Sequence, residues 1–243
     1  MVEEVMDLDY SNSDLSAQMK LDKNLFKQSI GKFLLGVILV GAILFLPAWS
    51  FSYWNAWLFM GILFVPMFIA GIIMLAKNPE LLQKRLDAKE KEAEQKSVVA
   101  LSGLMFLSAF IVAGLDWRFG WTNMPTWVVW VATGLFLLSY LLYAEVLREN
   151  TYLSRTIEVQ EDQKVIDTGL YGIVRHPMYM ATLVLFLSMP LVLGSMYSFL
   201  IMLVYIPIIA KRIRNEEKVL VEGLQGYKEY KQKVKYKVIP FIW

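Results

Sequence analysis

The chain contains no cysteine and only one histidine, His176, among its 243 residues. The missing cysteines exclude disulfides, thiolate nucleophiles and cysteine-ligated zinc, and a single histidine excludes a multi-histidine metal site. The motifs of nucleotide-binding loops, zinc proteases and serine hydrolases are also absent. A net charge of +2 is too small to indicate nucleic-acid binding. We therefore expect neither a metal nor a nucleic acid as a partner.

Charged residues are scarce as well: they make up 19% of the chain, whereas 57% of its residues are hydrophobic. This balance is typical of membrane proteins. No charged residue interrupts the middle of a long apolar run, which argues against an ion pump or a proton-coupled transporter. The first residues are acidic and polar, unlike a signal peptide. We expect residues 1–28 to form a polar N-terminal tail.

Long apolar runs dominate the rest of the chain. A helix crosses the bilayer core with about 20 residues, and five runs approach that length. They cover 33–51, 55–76, 97–115, 125–147 and 178–194. A sixth run, 196–210, extends about 22 Å as a helix and spans if Lys211 and Arg212 reach the interface; a re-entrant segment is the alternative. The sequence thus predicts an all-α polytopic membrane protein with about six transmembrane helices.

Lysine and arginine alternate in number between the segments outside these runs. The N-terminal segment, the two long loops and the C-terminal tail contain 4, 6, 4 and 9 of them, and the intervening loops contain 0, 1 and 0. By the positive-inside rule both termini lie in the cytoplasm, which requires six crossings. The membrane would be the inner membrane of a prokaryotic cell or the endoplasmic reticulum of a eukaryotic one.

These features divide the sequence into three parts. The tail is followed by four transmembrane helices over 29–147, and the third part, 148–243, contains a transmembrane hairpin and a C-terminal helix. Between the second and third runs, Asn78 and Pro79 are typical of a helix start. The spaced leucines that follow predict an interfacial helix near 78–92.

Polar residues that could carry chemistry gather at both ends of the hairpin. One cluster ends at His176 and the other begins at Lys211, and the hairpin returns to the side of the membrane on which it started. The two clusters therefore predict one pocket, formed by Arg175, His176, Tyr179, Arg212, Glu216 and Glu217. Taken singly, His176 could simply cap the helix that begins at Pro177, and Arg212 with Glu216 could be a surface pair.

The stretches VIDTGLYGIVRHPMY and RIRNEEKVLVEGLQGYKEYKQKVKYKVIP resemble the isoprenylcysteine carboxyl methyltransferase family, which is related to the phospholipid methyltransferases. The shared positions are Gly169, Tyr171, Arg175, His176, Pro177, Tyr179, Glu216, Glu217, Leu220, Gly226, Tyr227, Tyr230 and Pro240. The resemblance covers about residues 150–240. Leu170 stands where relatives often have proline, which concerns only the rigidity of that turn.

The resemblance implies an S-adenosylmethionine-dependent methyltransferase whose lipid or prenylated acceptor enters from the bilayer. It implies catalytic roles for Arg175, Arg212 and Glu216. For cofactor binding it implies Lys164, Val165, Gly169, Tyr171, His176, Pro177, Tyr179, Glu216 and Glu217. An arginine suits the carboxylate of this cofactor, and tyrosine rings suit its sulfonium. A carboxylate acceptor needs no general base because it is already ionised at neutral pH.

Three alternatives stay open at this point. A phospholipid N-methyltransferase is a close variant of the first reading. Membrane sterol reductases have a similar Arg-His-Pro motif and bind NADPH, whose additional phosphate would need basic groups such as Lys211, Arg212 and Arg214. A non-enzymatic membrane scaffold is the third alternative.

Overall fold

The computed structural model of the chain describes residues 2–79, 82, 83, 86, 93–150, 152 and 159–243. Within these residues the protein is all-α, and a lone parallel bridge between Val174 and Tyr236 is the only β pairing. The α-helices are α1 (Val2–Ala48), α2 (Trp54–Lys77), α3 (Ala93–Phe119), α4 (Thr126–Glu149), α5 (Pro177–Val192), α6 (Met196–Met202), α7 (Tyr205–Gly223) and α8 (Tyr227–Lys233). A 3-10 turn at Gly169–Gly172 precedes α5.

The helices confirm an integral membrane protein. Among the described residues, five stretches are long and apolar enough to cross a bilayer: Asn24–Ala48, Trp54–Lys77, Val99–Phe119, Thr126–Glu149 and Met196–Gly223. α5 is a shorter apolar helix of 16 residues. The returning half of the hairpin, Met196–Gly223, is therefore longer than the predicted run 196–210. The outgoing half, α5, is the shorter of the two.

The return segment is interrupted at Leu203 and Val204, between α6 and α7. Pro207 has no N–H to donate to the carbonyl of Leu203 four residues earlier, and a proline ring crowds that carbonyl. The carbonyl accepts instead from the N–H of Ile206 at 3.0 Å, and the N–H of Val204 donates to Ile201 at 3.1 Å. One proline thus divides the segment into two helices.

Residues 2–28, within the polar segment 1–28 that we expected to form a tail, belong to the first helix. α1 runs from Val2 to Ala48 without a break. No glycine or proline occurs before Gly31, so the strongest helix-ending residues are missing from this polar segment.

The interfacial helix predicted near 78–92 lies largely outside the described residues. Within that range Pro79, Leu82, Gln83 and Leu86 are helical. The N–H of Leu82 donates to the carbonyl of Asn78 at 3.3 Å, which agrees with a helix that starts near Asn78.

The chain divides into two compact units. The first contains residues 1–40 and 63–88, and in it the ring of Phe33 lies 5.7 Å from that of Phe64 and 5.3 Å from that of Phe68. The second unit contains residues 41–62 and 89–243, and every feature described below belongs to it.

The core of the second unit is a buried apolar cluster between α3, α5, α6 and α7. Its members are Met105, Ala109, Tyr179, Leu183, Met202, Tyr205, Ile208, Ile209, Ile213 and Val238. Aromatic contacts tie the helices together, because the ring of Phe186 lies 4.8 Å from the rings of both Phe106 and Tyr205 in edge-on geometry. Val238 comes from the last segment of the chain, which therefore packs directly against membrane-spanning helices.

A buried carboxylate lies at the end of α5 that is remote from His176. Asp116 is only 2% exposed. Its oxygens accept hydrogen bonds from the backbone N–H and the hydroxyl of Thr122, both at 2.7 Å, and from the hydroxyl of Ser195 at 2.5 Å. Several donors of this kind satisfy a carboxylate that burial would otherwise disfavour.

Two further side chains hold the same end of α5. The hydroxyl of Tyr53 donates to the carbonyl of Leu193 at 2.7 Å, and the amide of Asn55 donates to the carbonyl of Val192 at 2.9 Å. These are orphan carbonyls of a helix C-terminus, which commonly need such partners. We call Tyr53, Asn55, Asp116, Thr122 and Ser195 the Asp116 cluster.

Candidate active site

Two remote segments of the chain pair beside the start of α5. The N–H of Arg175 donates to the carbonyl of Tyr236 at 2.9 Å, and the N–H of His176 donates to the carbonyl of Lys237 at 2.8 Å. Pro177 follows as the first residue of α5, where its missing N–H breaks no helical bond. The pairing therefore fixes the backbone from which Arg175 and His176 extend.

The buried side chain of Arg175 links α7 to the C-terminal segment by hydrogen bonds. Its Nε donates to Oε1 of Glu217 at 2.8 Å, and its Nη1 donates to the carbonyls of Val234 and Lys235 at 2.7 and 2.8 Å. The side chains of Arg175 and Glu217 are only 4% and 7% exposed. Arg175 thus joins α7 to the C-terminal segment, and these bonds already engage much of its guanidinium.

Nitrogen atoms of side chains from several elements surround Glu217. Its carboxylate lies 3.3 Å from Nε2 of His176, 3.3 Å from Nζ of Lys231 and 3.7 Å from Nζ of Lys237, in addition to Arg175. A buried carboxylate is stable only when paired in this way. Glu217 therefore stands behind the wall formed by Arg175 and His176 and holds both in place.

His176 does not cap α5 with its side chain. The ring stacks on Tyr179 with 5.7 Å between centroids, and its Nδ1 lies 3.7 Å from Oε1 of Glu216. The imidazole is therefore positioned between the two glutamates, while the backbone of His176 forms the N-cap of α5 and its carbonyl accepts from the N–H groups of Tyr179 and Met180.

Tyr179, Arg212 and Glu216 form one connected group. The hydroxyl of Tyr179 donates to the carboxylate of Glu216 in a short hydrogen bond and accepts from Nε of Arg212 at 3.0 Å. Arg212 and Glu216 are four residues apart on α7, so they share one helix face. That face looks into a cavity, and the two residues are not an isolated surface pair.

The cavity is open to solvent, and both polar and apolar side chains line it. It is lined by Asn150, Tyr152, Gln163, Lys164, Val165, Ile166, Tyr171, Arg175, His176, Met178, Tyr179, Arg212, Glu216, Leu220, Leu224, Tyr227 and Tyr230. Eight of these were predicted as site residues: Lys164, Val165, Tyr171, Arg175, His176, Tyr179, Arg212 and Glu216. The other three predicted residues, Gly169, Pro177 and Glu217, are outside this lining and support it.

Gly169 lies directly against the end of α4, where there is little room for a side chain. Its φ of +52° lies in the left-handed region, and an added Cβ would lie 2.7–2.9 Å from the carboxyl group of Glu149. The same carboxylate accepts from the hydroxyl of Thr168 at 2.7 Å. A glycine here lets the turn approach the end of α4 closely.

Two hydrogen bonds fix Tyr171 in the cavity wall. The amide of Asn150 donates to its hydroxyl at 2.9 Å, and the hydroxyl of Tyr230 donates to its carbonyl at 2.7 Å. Burial raises the pKa of Tyr171 to about 12, although the bond from Asn150 opposes the shift. The phenol is therefore neutral at physiological pH.

Tyr227 has unused hydrogen-bonding capacity. Its hydroxyl is buried and has no partner among the described residues. Burial, assisted by Glu217 and Glu216, raises the pKa of Tyr227 above its usual range, so the hydroxyl keeps its proton. A buried polar atom without a partner is uncommon in native proteins, and at a cavity wall it indicates room for a ligand group.

Several lining residues were missed by the sequence argument. Asn150, Tyr152 and Gln163 belong to the segment before the family-like motif and show no diagnostic spacing. They are linked locally: the amide of Gln160 donates to the carbonyl of Tyr152 at 2.7 Å, and the N–H of Gln160 donates to the side chain of Gln163 at 2.9 Å.

Comparison with known proteins finds a family match in this region. Residues 130–222 match the isoprenylcysteine carboxyl methyltransferase (ICMT) family. This range contains α5, α6, nearly all of α7 and the residues Arg175, Arg212 and Glu216. The match confirms the family resemblance seen in the sequence and supports a membrane methyltransferase.

A second similarity is to Delta(14)-sterol reductase TM7SF2 of Mus musculus. The two proteins are 28% identical over 91 residues, which is 36% of this chain and 22% of that protein. The chain therefore spans much less than half of the length of this curated relative.

Proposed function

We propose that the protein is an S-adenosylmethionine-dependent methyltransferase that methylates a lipidic acceptor, with a carboxyl oxygen as the methylated atom. The observation that supports this most is the open cavity at one end of α5, most of whose lining residues lie in the family-matched region. It combines a guanidinium, a carboxylate and an unpartnered hydroxyl, from Arg212, Glu216 and Tyr227. We further propose that this end of the molecule faces the cytoplasm, as the charge distribution predicts.

The donor set fits the chemical groups of the methyl donor. Arg212 or Lys164 would pair with its carboxylate, and Glu216 would accept from its amine or ribose hydroxyls. Tyr227 offers the free hydroxyl, and the faces of Tyr171 and Tyr179 suit the sulfonium. Valine and leucine side chains in the same wall, Val165, Leu220 and Leu224, would cover the adenine.

Three of the predicted residues take supporting roles in this proposal. Arg175 and Glu217 bind each other and the C-terminal segment, so they position the wall. His176, held by Glu217 and stacked on Tyr179, orients the group formed by Tyr179, Arg212 and Glu216. In this proposal Arg175 and Glu217 position their neighbours and do not contact the ligand directly.

The proposed methyl transfer requires no proton transfer by a side chain of the protein. The bound donor supplies a methyl group on a positively charged sulfur, and an ionised carboxylate acceptor needs no proton removed. The protein therefore has to orient the two partners and exclude bulk water. A cavity at the end of a membrane helix lets a water-soluble donor meet an acceptor that stays in the bilayer.

A reductase is the second candidate, because a sterol reductase is among the similar proteins. The phosphate of NADPH would need several basic groups. Of Lys211, Arg212 and Arg214, only Arg212 lines the cavity in the part of the chain that the structure describes, and the other two side chains are exposed. Lys164 also lines the cavity, whereas Arg175 is engaged by Glu217, so the family match to methyltransferases is what favours the methyl donor over NADPH.

Titration calorimetry on the detergent-solubilised protein separates the two candidates. We expect saturable binding of S-adenosylmethionine, weakened by Arg212→Gln and unchanged by the exposed neighbour Lys211→Gln. Transfer of labelled methyl groups to a prenylated cysteine with a free carboxylate, compared with phospholipid vesicles, then identifies the acceptor class. Binding of NADPH without binding of S-adenosylmethionine would overturn the proposal.

A further inference from the structure

The last residues of the chain form an ordered turn with an outward-facing apolar tip. The N–H groups of Val238 and Ile239 donate to the carbonyl of Trp243 at 2.8 and 2.9 Å, and the N–H of Trp243 donates back to Ile239 at 3.0 Å. Phe241 and Ile242 occupy the tip and are 86% and 78% exposed. Two adjacent apolar side chains so exposed on a well-bonded turn are typical of an interaction surface.

The base of this turn lies beside membrane-spanning helices. Val238 is fully buried in the apolar cluster of α3, α5, α6 and α7, and Trp243 packs against the same cluster. The same cluster includes Met105, within the membrane stretch Val99–Phe119. The exposed tip is therefore held next to segments that lipid surrounds.

The segment that ends in this turn is rich in lysine, and three of its lysines lie near carboxylates: Lys231 and Lys237 near Glu217, and Lys233 near Asp167. Residues 224–243 contain five lysines and a single acidic residue, Glu229. The lysines are Lys228, Lys231, Lys233, Lys235 and Lys237. Nζ of Lys237 lies 5.9 Å above the ring of Trp243, which is within cation–π range. Lysines beside an apolar tip are typical of segments that bind anionic membrane surfaces.

We infer that the turn Ile239–Trp243 inserts Phe241 and Ile242 into the bilayer leaflet on the cavity side, while the exposed Lys228 and Lys235 of the same segment meet anionic head groups. The preceding residues Tyr236 and Lys237 accept the backbone hydrogen bonds of Arg175 and His176. The lipid surface would thereby hold one wall of the cavity. The insertion itself does not depend on methyl transfer.

The absence of cysteine makes a direct test possible, because Phe241→Cys gives the chain a single thiol. The variant is labelled with an environment-sensitive fluorophore and reconstituted into vesicles of phosphatidylcholine and phosphatidylglycerol. We expect several-fold stronger quenching by lipids that carry a nitroxide high on the acyl chain than for Glu161→Cys, an exposed position in a polar loop. Aqueous iodide should quench the two labels in the opposite order.

Ile242→Cys repeats the measurement at the second tip position, and the unfolding temperature of each labelled variant verifies that it is folded. Quenching at both tip positions that equals the Glu161→Cys value would overturn the insertion. Vesicles without phosphatidylglycerol should lower the quenching at Phe241→Cys. Equal quenching in both lipid mixtures would overturn the part assigned to the lysines.

Discussion

The two ends of α5 both bury polar side chains, but they use them differently. In the Asp116 cluster, the carboxylate accepts three hydrogen bonds from Thr122 and Ser195, and the open cavity is lined by none of these residues. At the His176 end, polar groups line that cavity, and the hydroxyl of Tyr227 has no described partner. The hydroxyl of Ser198, whose N–H donates to Ser195, is also buried without a described partner. Polar groups that line a cavity, more than buried polarity or one unpartnered hydroxyl, therefore distinguish the binding site from the structural network.

The His176 end contains both kinds of group, one behind the other. Arg175 and Glu217 are bonded to each other and to the C-terminal segment, as in a structural network. In front of them, Arg212 and Glu216 share Tyr179 and face the cavity. Variants at the two layers should therefore separate stability from ligand affinity.

The largest effect is expected from breaking the Arg175–Glu217 pair. Arg175→Met leaves a buried carboxylate without its main partner, which typically lowers the free energy of unfolding by about 3–5 kcal/mol. Denaturant unfolding in detergent measures the loss, with the exposed Arg214→Met as the matched control at about 0.5 kcal/mol or less. A loss below about 1 kcal/mol for Arg175→Met would contradict the link between α7 and the C-terminal segment.

Removing the acceptor at the opposite end should cost less and leave ligand binding intact. Asp116→Ala leaves the hydroxyls of Thr122 and Ser195 and one backbone N–H without their acceptor, and we expect a loss of about 1–3 kcal/mol. The exposed Glu161→Ala serves as control. The affinity of the folded fraction for S-adenosylmethionine should not change, so a matching loss of affinity would show that the two ends are coupled.

A pair of glycines compares the two ends through the backbone. Gly169 and Gly120 both have positive φ, +52° and +64°, but only at Gly169 would an added Cβ meet a neighbour within 4 Å, namely Glu149. Alanine at Gly120 should cost about 1 kcal/mol for the left-handed backbone alone. Alanine at Gly169 should cost about 0.5–1.5 kcal/mol more, because the flexible Glu149 carboxylate has to move away and loses the hydrogen bond from Thr168. Equal unfolding free energies would refute the close approach.

The smallest effect concerns the free hydroxyl. Tyr227→Phe should raise the Kd for S-adenosylmethionine about fivefold, corresponding to about 1 kcal/mol for one hydrogen bond, without lowering stability. Tyr230→Phe is the matched control, since its hydroxyl already bonds the carbonyl of Tyr171. That control should lose stability of about 1 kcal/mol. A Tyr227→Phe protein that binds as tightly as the natural one would remove Tyr227 from the site.

The membrane class and the convergence of the site could be predicted from the sequence, because apolar length and hairpin geometry decide both. A hairpin returns its ends to one side, so Arg175, His176, Arg212 and Glu216 had to come close. Which side chains of α7 face the cavity was harder to predict, because the side chains of adjacent helical residues point in directions about 100° apart. Glu216 therefore faces the cavity while Glu217 points behind it.

Other features left no periodic signal in the sequence. The pairing of Arg175 and His176 with Tyr236 and Lys237 is too short to show strand alternation. The bond between Asp116 and Ser195 joins positions 79 residues apart, and neither residue has a diagnostic neighbour. The helical state of residues 2–28 is indicated only by the lack of glycine and proline before Gly31, because this polar segment has no long apolar run.

The most direct measurement of the central claim is a calorimetric titration of S-adenosylmethionine into the reconstituted protein and two variants. Glu216→Gln removes a charge from the cavity and should weaken binding at least about tenfold, because charged hydrogen bonds contribute roughly 1.5–3 kcal/mol. Asp116→Asn removes a charge from the opposite end of α5 and should bind as tightly as the natural protein. Natural affinity in Glu216→Gln, or equal weakening in both variants, would contradict the assignment of ligand binding to the His176 end.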